Sequence, residues 1–181
     1  AVSIVKGQTD KKLTAPPTSS MGRLFDAVAS LIGICQDVTY EAQAAIEMEI
    51  LSKTYIDSAG PYPYVIDEAN VVWLKDLLEA IVQDIRGNES AGMIGARFHK
   101  TIADIAIDIS KRARAKTNLN EVALSGGVWQ NQILLNLVLD GLEDEGFVVY
   151  FHKQVPPNDG GLALGQAVVA NHRSPPPMGE G

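Results

Sequence analysis

Two stretches of the chain carry residue types that can do chemistry at a site. In the first, Ser125-Gly126-Gly127-Val128-Trp129-Gln130-Asn131 follows a short apolar run, Glu121-Val122-Ala123-Leu124, and opens a helical pattern from Gln132 to Leu139. A strand, a Gly-Gly turn and a helix in that order make a place for a nucleotide. Glycines let the backbone approach a phosphate or ribose closely. The helix start offers free N–H groups and a partial positive charge to an anion. A Gly-Gly pair alone is more often only a turn. The second stretch is Pro156-Pro157-Asn158-Asp159-Gly160-Gly161, whose Asp159 lies 28 positions after Asn131. A carboxylate on a Gly-rich turn can reach a metal or a phosphate-bound cation. It can equally cap the helix that follows.

Two further blocks precede these: Ser19-Ser20-Met21-Gly22-Arg23-Leu24-Phe25-Asp26-Ala27-Val28 and Tyr40-Glu41-Ala42-Gln43-Ala44-Ala45. Read alone, Asp26 is a solvated carboxylate on an amphipathic helix. Glu41 in a first helical turn favours the helix dipole. Taken in order, the four blocks resemble the C-terminal domain of the HypF family, the carbamoyltransferases of nickel–iron hydrogenase maturation. That domain is similar to the enzymes making threonylcarbamoyladenosine in transfer RNA, within the actin/Hsp70/sugar-kinase-like ATPases. The resemblance runs from about Thr18 to about Ala170.

The resemblance implies an α/β fold: the second lobe of an actin-like ATPase (ribonuclease H-like) domain, with a mixed sheet flanked by helices. It implies that Asp26 holds the ribose of a nucleotide, since Gly22-Arg23-Leu24-Phe25-Asp26 matches the relatives' Gly-Glu-Ala-Phe-Asp. Arg23 stands where those relatives have Glu, which favours the hydrogenase-maturation branch. Gly126, Gly127 and Asn131 match Gly-Gly-Val-x-x-Asn and complete the nucleotide site. Tyr40, Glu41 and Gln43 are implied to line a carbamoyl-adenylate pocket. Asp159 matches a metal-binding Asp, for iron, zinc or magnesium. The family's other metal ligands are histidines upstream. His99, His152 and His172 lack that spacing, and His99 and His152 read as structural or surface residues. A metal held by one Asp is held weakly.

The implied reaction is formation of carbamoyl-adenylate from carbamoyl phosphate and ATP, then transfer of the carbamoyl group to the C-terminal cysteine of HypE. No residue of this chain is assigned a catalytic role, and an isolated fragment is expected to be inactive. The implied partners are HypE and upstream domains of the same polypeptide. Self-association through an exposed inter-lobe face is a further expectation. A threonylcarbamoyl or O-carbamoyl transferase, or a non-catalytic nucleotide-binding lobe, are the alternative readings.

Bulk properties narrow the classes. The chain has 181 residues, enough for one ordinary domain. A net charge of −7 argues against sequence-independent nucleic-acid binding, which needs a basic face. The single cysteine, Cys35, excludes an internal disulfide and a cysteine zinc cluster. It reads as a small buried residue at a helix end, and it fits a reducing cytoplasm. No apolar run reaches the ~20 residues of a membrane helix. The chain opens Ala1-Val2-Ser3 with no Met or signal pattern, so it reads as an excised fragment.

These residues need elements to position them. Residues 1–17 read as a linker or arm, 18–172 as the lobe and 173–181 as a disordered tail. The spacing predicts a helix from about Met21 to Ile32 with Ser19 or Ser20 as its cap, and a second one capped by Thr39. Tyr62 to Ile66 predicts a strand, Trp73 to Ile85 a helix, and Glu89 to Lys116 a long helix broken by Asn118 and Asn120. Val122-Ala123-Leu124 predicts a fully buried strand. Asn131 to Leu142, Phe147 to Phe151 and Leu162 to Ala170 predict helix, strand and helix, so that a β–α–β unit favours a parallel pair.

Overall fold

The computed structural model describes residues 2–10, 16 and 18–173. Its centre is a long helix, α5, and the other elements are best placed relative to it. In chain order they are α1 (Val2–Asp10), α2 (Met21–Leu31), α3 (Gln43–Ser52), β1 (Val65–Ile66), β2 (Val72–Trp73), α4 (Lys75–Arg86), α5 (Ala91–Thr117), β3 (Glu121–Leu124), α6 (Gln132–Asp144), β4 (Val148–Phe151) and α7 (Leu162–Arg173).

Local chemistry explains most of the boundaries. Ser20 Oγ accepts a hydrogen bond from Arg23 N at 3.4 Å and caps α2. Ser90 caps α5 in the same way, through Met93 N at 3.2 Å. Asn118 ends α5 in the left-handed region at φ 58°, a conformation Asn tolerates. Thr39, by contrast, does not cap α3. That helix starts after Ala42 at φ 62°, and Gln43 Oε1 instead accepts from Thr39 N and Thr39 Oγ1 at 2.8 and 3.1 Å.

Several expectations change with the tertiary structure. Residues 2–10 form a helix, so the arm expected over 1–17 is helical in its first part. Trp73 lies in β2 rather than at the head of α4, and Tyr62–Tyr64 precede β1 rather than belonging to it. The expected mixed sheet is two small sheets, β1–β2 antiparallel and β3–β4 parallel, with Glu121 opposite Val148 and Leu124 opposite Phe151. β3 is also not fully buried. Glu121 and Ala123 are exposed and only Leu124 is buried, because helices cover one face of the pair. The tail from residue 174 onward lies outside the described residues.

The core gathers around α5. Phe25 and Val28 of α2, Met48 of α3, Leu77 and Ile81 of α4, Phe98 of α5, and Leu134 and Val138 of α6 are all essentially inaccessible. Phe25 and Phe98 pack edge to face at 4.9 Å. Two glycines let α3 lie close against α5. A Cβ at Gly92 would stand 2.6 Å from the Leu51 carbonyl oxygen, and one at Gly95 would overlap Ser52 Oγ. That close approach carries the side chains of α3 toward the start of α6.

At the other extreme, α7 is covered by almost nothing. Leu162, Leu164, Val168 and Val169 are each between 51% and 61% exposed. Among the described residues no helix is long and apolar enough to cross a membrane.

Candidate functional site

The turn between β3 and α6 is built around one unusual residue. Gly126 has φ 107°, which a residue with a Cβ rarely adopts. Its N–H donates to the Pro157 carbonyl at 3.0 Å, tying this turn to the Pro156–Gly161 stretch. Residues Gly127–Gln130 then form one 3-10 turn, and α6 begins at Gln132. Trp129 is half-buried against the core.

The start of α6 does not offer free donors to a phosphate. Glu49 Oε1, from α3, accepts from Gln132 N at 2.7 Å and Ile133 N at 3.2 Å. Asn131 Oδ1 accepts from Leu134 N at 2.9 Å, and Asn131 N donates to the Val128 carbonyl at 3.1 Å. All four N–H groups that a helix leaves open at its start are thus bound within the chain. A carboxylate already sits where the dipole favours an anion, which corrects the expectation of an anion site there.

Asn131 is held on both sides. Its Nδ2 lies 2.8 Å from His99 Nε2, and His99 Nδ1 lies 2.7 Å from the Gly95 carbonyl oxygen. The amide must present Oδ1 to Leu134 N, so Nδ2 is the donor toward His99. His99 Nε2 is therefore an acceptor and its Nδ1–H donates to Gly95: the ring is neutral in one defined tautomer. Burial favours the same state and pushes the His99 pKa down to about 4, against a smaller opposing effect of the Gly95 hydrogen bond. Among the described residues no buried side-chain polar atom lacks a hydrogen-bond partner.

Asp26 is brought to the same region. Its neighbour Phe25 meets the His99 ring edge-on at 5.2 Å, and α2 packs against the 3-10 turn of residues 127–130. Asp26 is half-buried, and its carboxylate has no hydrogen-bond or ion-pair partner among the described residues. Asp26, Gly126, Gly127 and Asn131 thus come from three elements that touch.

Tyr40 and Glu41 stand exposed in the turn before α3, while Gln43 is engaged locally, with its Nε2 donating to Glu47 Oε1 at 2.8 Å. Asp159 is exposed. Asn158 does the capping at this turn, through Gly160 N at 3.0 Å, so the cap reading of Asp159 does not hold and its carboxylate stays unpaired among the described residues. Among those residues no three side chains of metal-ligating type gather. One exposed carboxylate does not by itself make a metal centre, so the described residues alone do not hold a resident metal.

Four residues at the site escape a reading by motif. His99 reads as a structural residue and is one, but its partner is Asn131 itself. Glu49 gives no signal at all, because it works on backbone 83 positions away. Ser125 and His152 follow directly on β3 and β4, and Ser125 Oγ lies 3.0 Å from His152 Nε2. The carboxyl ends of parallel strands are where α/β sheets bind ligands. An open cavity of about 640 Å³ lies here, lined by Ser125, His152, Pro156, Asn158, Gly161 and Leu162.

Comparison with known proteins places this arrangement. Residues 1–166 match the family model described as the second subdomain of the Kae1-like domain of carbamoyltransferase. The chain is 32% identical over 165 residues to a probable carbamoyltransferase HypF of Methanocaldococcus jannaschii, covering 91% of this chain and 21% of that protein. It is 35% identical over 161 residues to carbamoyltransferase HypF of Synechocystis, covering 84% and 19%. Among solved structures, a full-length HypF in a phosphate- and nucleotide-bound form superposes with a TM-score of 0.87 at 40% identity, over 94% of this chain and 23% of that one. A HypF from T. kodakarensis, at 24% identity and a TM-score of 0.68, shares the fold. The chain spans about a fifth of the length of these relatives. Its four motif blocks, its fold and its match over residues 1–166 together show that it belongs to the HypF carbamoyltransferase family.

Proposed function

We propose that this segment is the nucleotide-holding second lobe of an actin-like carbamoyltransferase domain. The observation that carries the reading is Asp26: half-buried, unpaired, and set on the helix that packs against the Gly126–Gly127 turn. A carboxylate is a suitable acceptor for two ribose hydroxyls. Gly126 and Gly127 let backbone pass close to the ligand. Asn131 spends one Nδ2 proton on His99 and keeps a second for the nucleotide.

In a chain of the relatives' full length, water releases phosphate from carbamoyl phosphate, and an oxygen of the resulting carbamate attacks the α-phosphorus of ATP. A bond from that oxygen to phosphorus forms, the bond to the bridging oxygen breaks, and pyrophosphate leaves, giving carbamoyl-adenylate. The thiolate of the HypE C-terminal cysteine then attacks the carbamoyl carbon. A carbon–sulfur bond forms, the carbon–oxygen bond to the AMP phosphate breaks, and AMP leaves with that electron pair. The cavity beside Ser125, His152 and Asn158 has the size of a small-molecule site and receives the carbamoyl end. Asp159 is available as one ligand to a divalent metal whose other ligands lie outside the described residues, and no step above runs through it.

Titration of ATP into a chain extended upstream to the relatives' length tests the reading. Asp26→Ala is expected to weaken binding about tenfold to a hundredfold, the worth of hydrogen bonds to a charged group. Unchanged affinity with an intact fold would mean that the pocket lies elsewhere. The segment alone should also self-associate, because the apolar side chains of α7 are uncovered. Sedimentation showing only monomer at high concentration counts against that.

A further inference from the structure

We infer that His99 is a positioning residue for the nucleotide turn, a role that rests on the function proposed above. Asn131 stands at the junction of that turn and α6, and its amide has two proton-bearing positions and one acceptor oxygen. The oxygen is committed to Leu134 N. What decides the direction of the remaining Nδ2 proton is the other Nδ2 contact, and that contact is His99 Nε2 at 2.8 Å. His99 in turn cannot rotate freely: its Nδ1–H is bound to the Gly95 carbonyl one helical turn back at 2.7 Å, and Phe25 closes on its ring edge-on at 5.2 Å.

The side chain is fully buried, so no water replaces either contact. Its neighbours in these contacts, Phe25, Phe98, Gly95 and Asn131, are all uncharged. The linkage therefore runs from the central helix α5 through a neutral imidazole to the side chain that ends the turn and still has a proton to give. Glu49 acts in parallel from α3, fixing the next two N–H groups of α6. The turn is thereby held against α2, α3 and α5 together. A site held by rigid helices in this way is worth more to binding than the same residues on a loose loop.

The two ring nitrogens can be separated by substitution. Glutamine places an amide where Nε2 stands and can accept from Asn131. Asparagine places one where Nδ1 stands and can keep only the Gly95 contact. In a chain of the relatives' full length, ATP titration of His99→Gln should give an affinity within about threefold of wild type, and His99→Asn should be weaker by about tenfold. Adding His99→Asn to Asn131→Ala should cost no further affinity, since the two residues act as one unit.

Equal affinities for the two His99 variants, or losses that add, would overturn the positioning role. Asp26→Ala is titrated alongside: if it binds ATP as wild type does, the nucleotide site itself is misplaced, whatever His99 does. Should His99→Asn fail to fold, the wild-type protein still decides. The Nε2 nitrogen resonance of His99 is expected to move when ATP is added, because the Asn131 amide is then bound on both sides, and a resonance that does not move overturns the proposal.

Discussion

Acidification should cost the chain about 3 kcal/mol of stability through His99 alone, because its pKa falls from the ordinary 6.5 to about 4 on folding. The cause is burial first: the ring is inaccessible, and a charged imidazolium there would have no water around it. Between those two pH values the unfolded chain binds a proton that the folded chain refuses. Stability is therefore complete above pH 6.5, falls as the pH drops, and has lost this contribution once the pH is below about 4. The hydrogen bonds point the same way, since a proton on Nε2 would face the N–H of Asn131. Urea unfolding at pH 7 and pH 4.5 measures it. Carboxylates titrate in the same window, so the comparison is with His99→Gln, whose stability should fall less over that interval. Parallel curves for the two proteins would sink the prediction.

Replacing Asn131 by alanine should destabilise the fold by about 2–4 kcal/mol. Loss of the cap on α6 accounts for about 1 kcal/mol. The rest comes from His99 Nε2, a buried acceptor left without a donor, at about 1–3 kcal/mol. For a chain of this length that is a melting temperature lower by about 10 °C. Asn131→Asp separates the two parts. Aspartate keeps the cap but sets a carboxylate against Nε2. His99 then gains by taking a proton and its folded pKa rises past the ordinary 6.5, so this contribution is complete below pH 6.5 and is lost as the pH climbs through the raised folded value. Thermal melts of both variants across pH 5 to 8 give the answer. A loss below about 1 kcal/mol for Asn131→Ala would show that the His99 contact contributes nothing.

The difference between what motifs and contacts reveal is visible in these same residues. Ser125 to Asn131 reads from sequence as strand, turn and helix, and the structure keeps that order, with the required glycine at Gly126. The helix caps at Ser20 and Asn118 are equally local: a side chain acts on backbone within a few positions, so residue type and spacing suffice. The start of α6 shows where that reasoning stops. Sequence marks it as open to an anion, and Glu49 fills it from 83 positions away. Asp159 reads as a metal ligand with a helix cap as the alternative, and its neighbour Asn158 takes the cap.

The sequence by itself determined the family, the order and type of the main elements and the identity of Asp26, Gly126, Gly127 and Asn131 as the residues to watch. Only the tertiary structure decided that Asn131 is tied to His99, that Glu49 occupies the helix start, and that the expected sheet is two small ones. The reason is physical. Periodicity and capping report neighbours along one chain segment, whereas the Asn131–His99 contact spans 32 positions. The reach of Glu49 follows from how closely α3 can approach α5, which Gly92 and Gly95 set through packing.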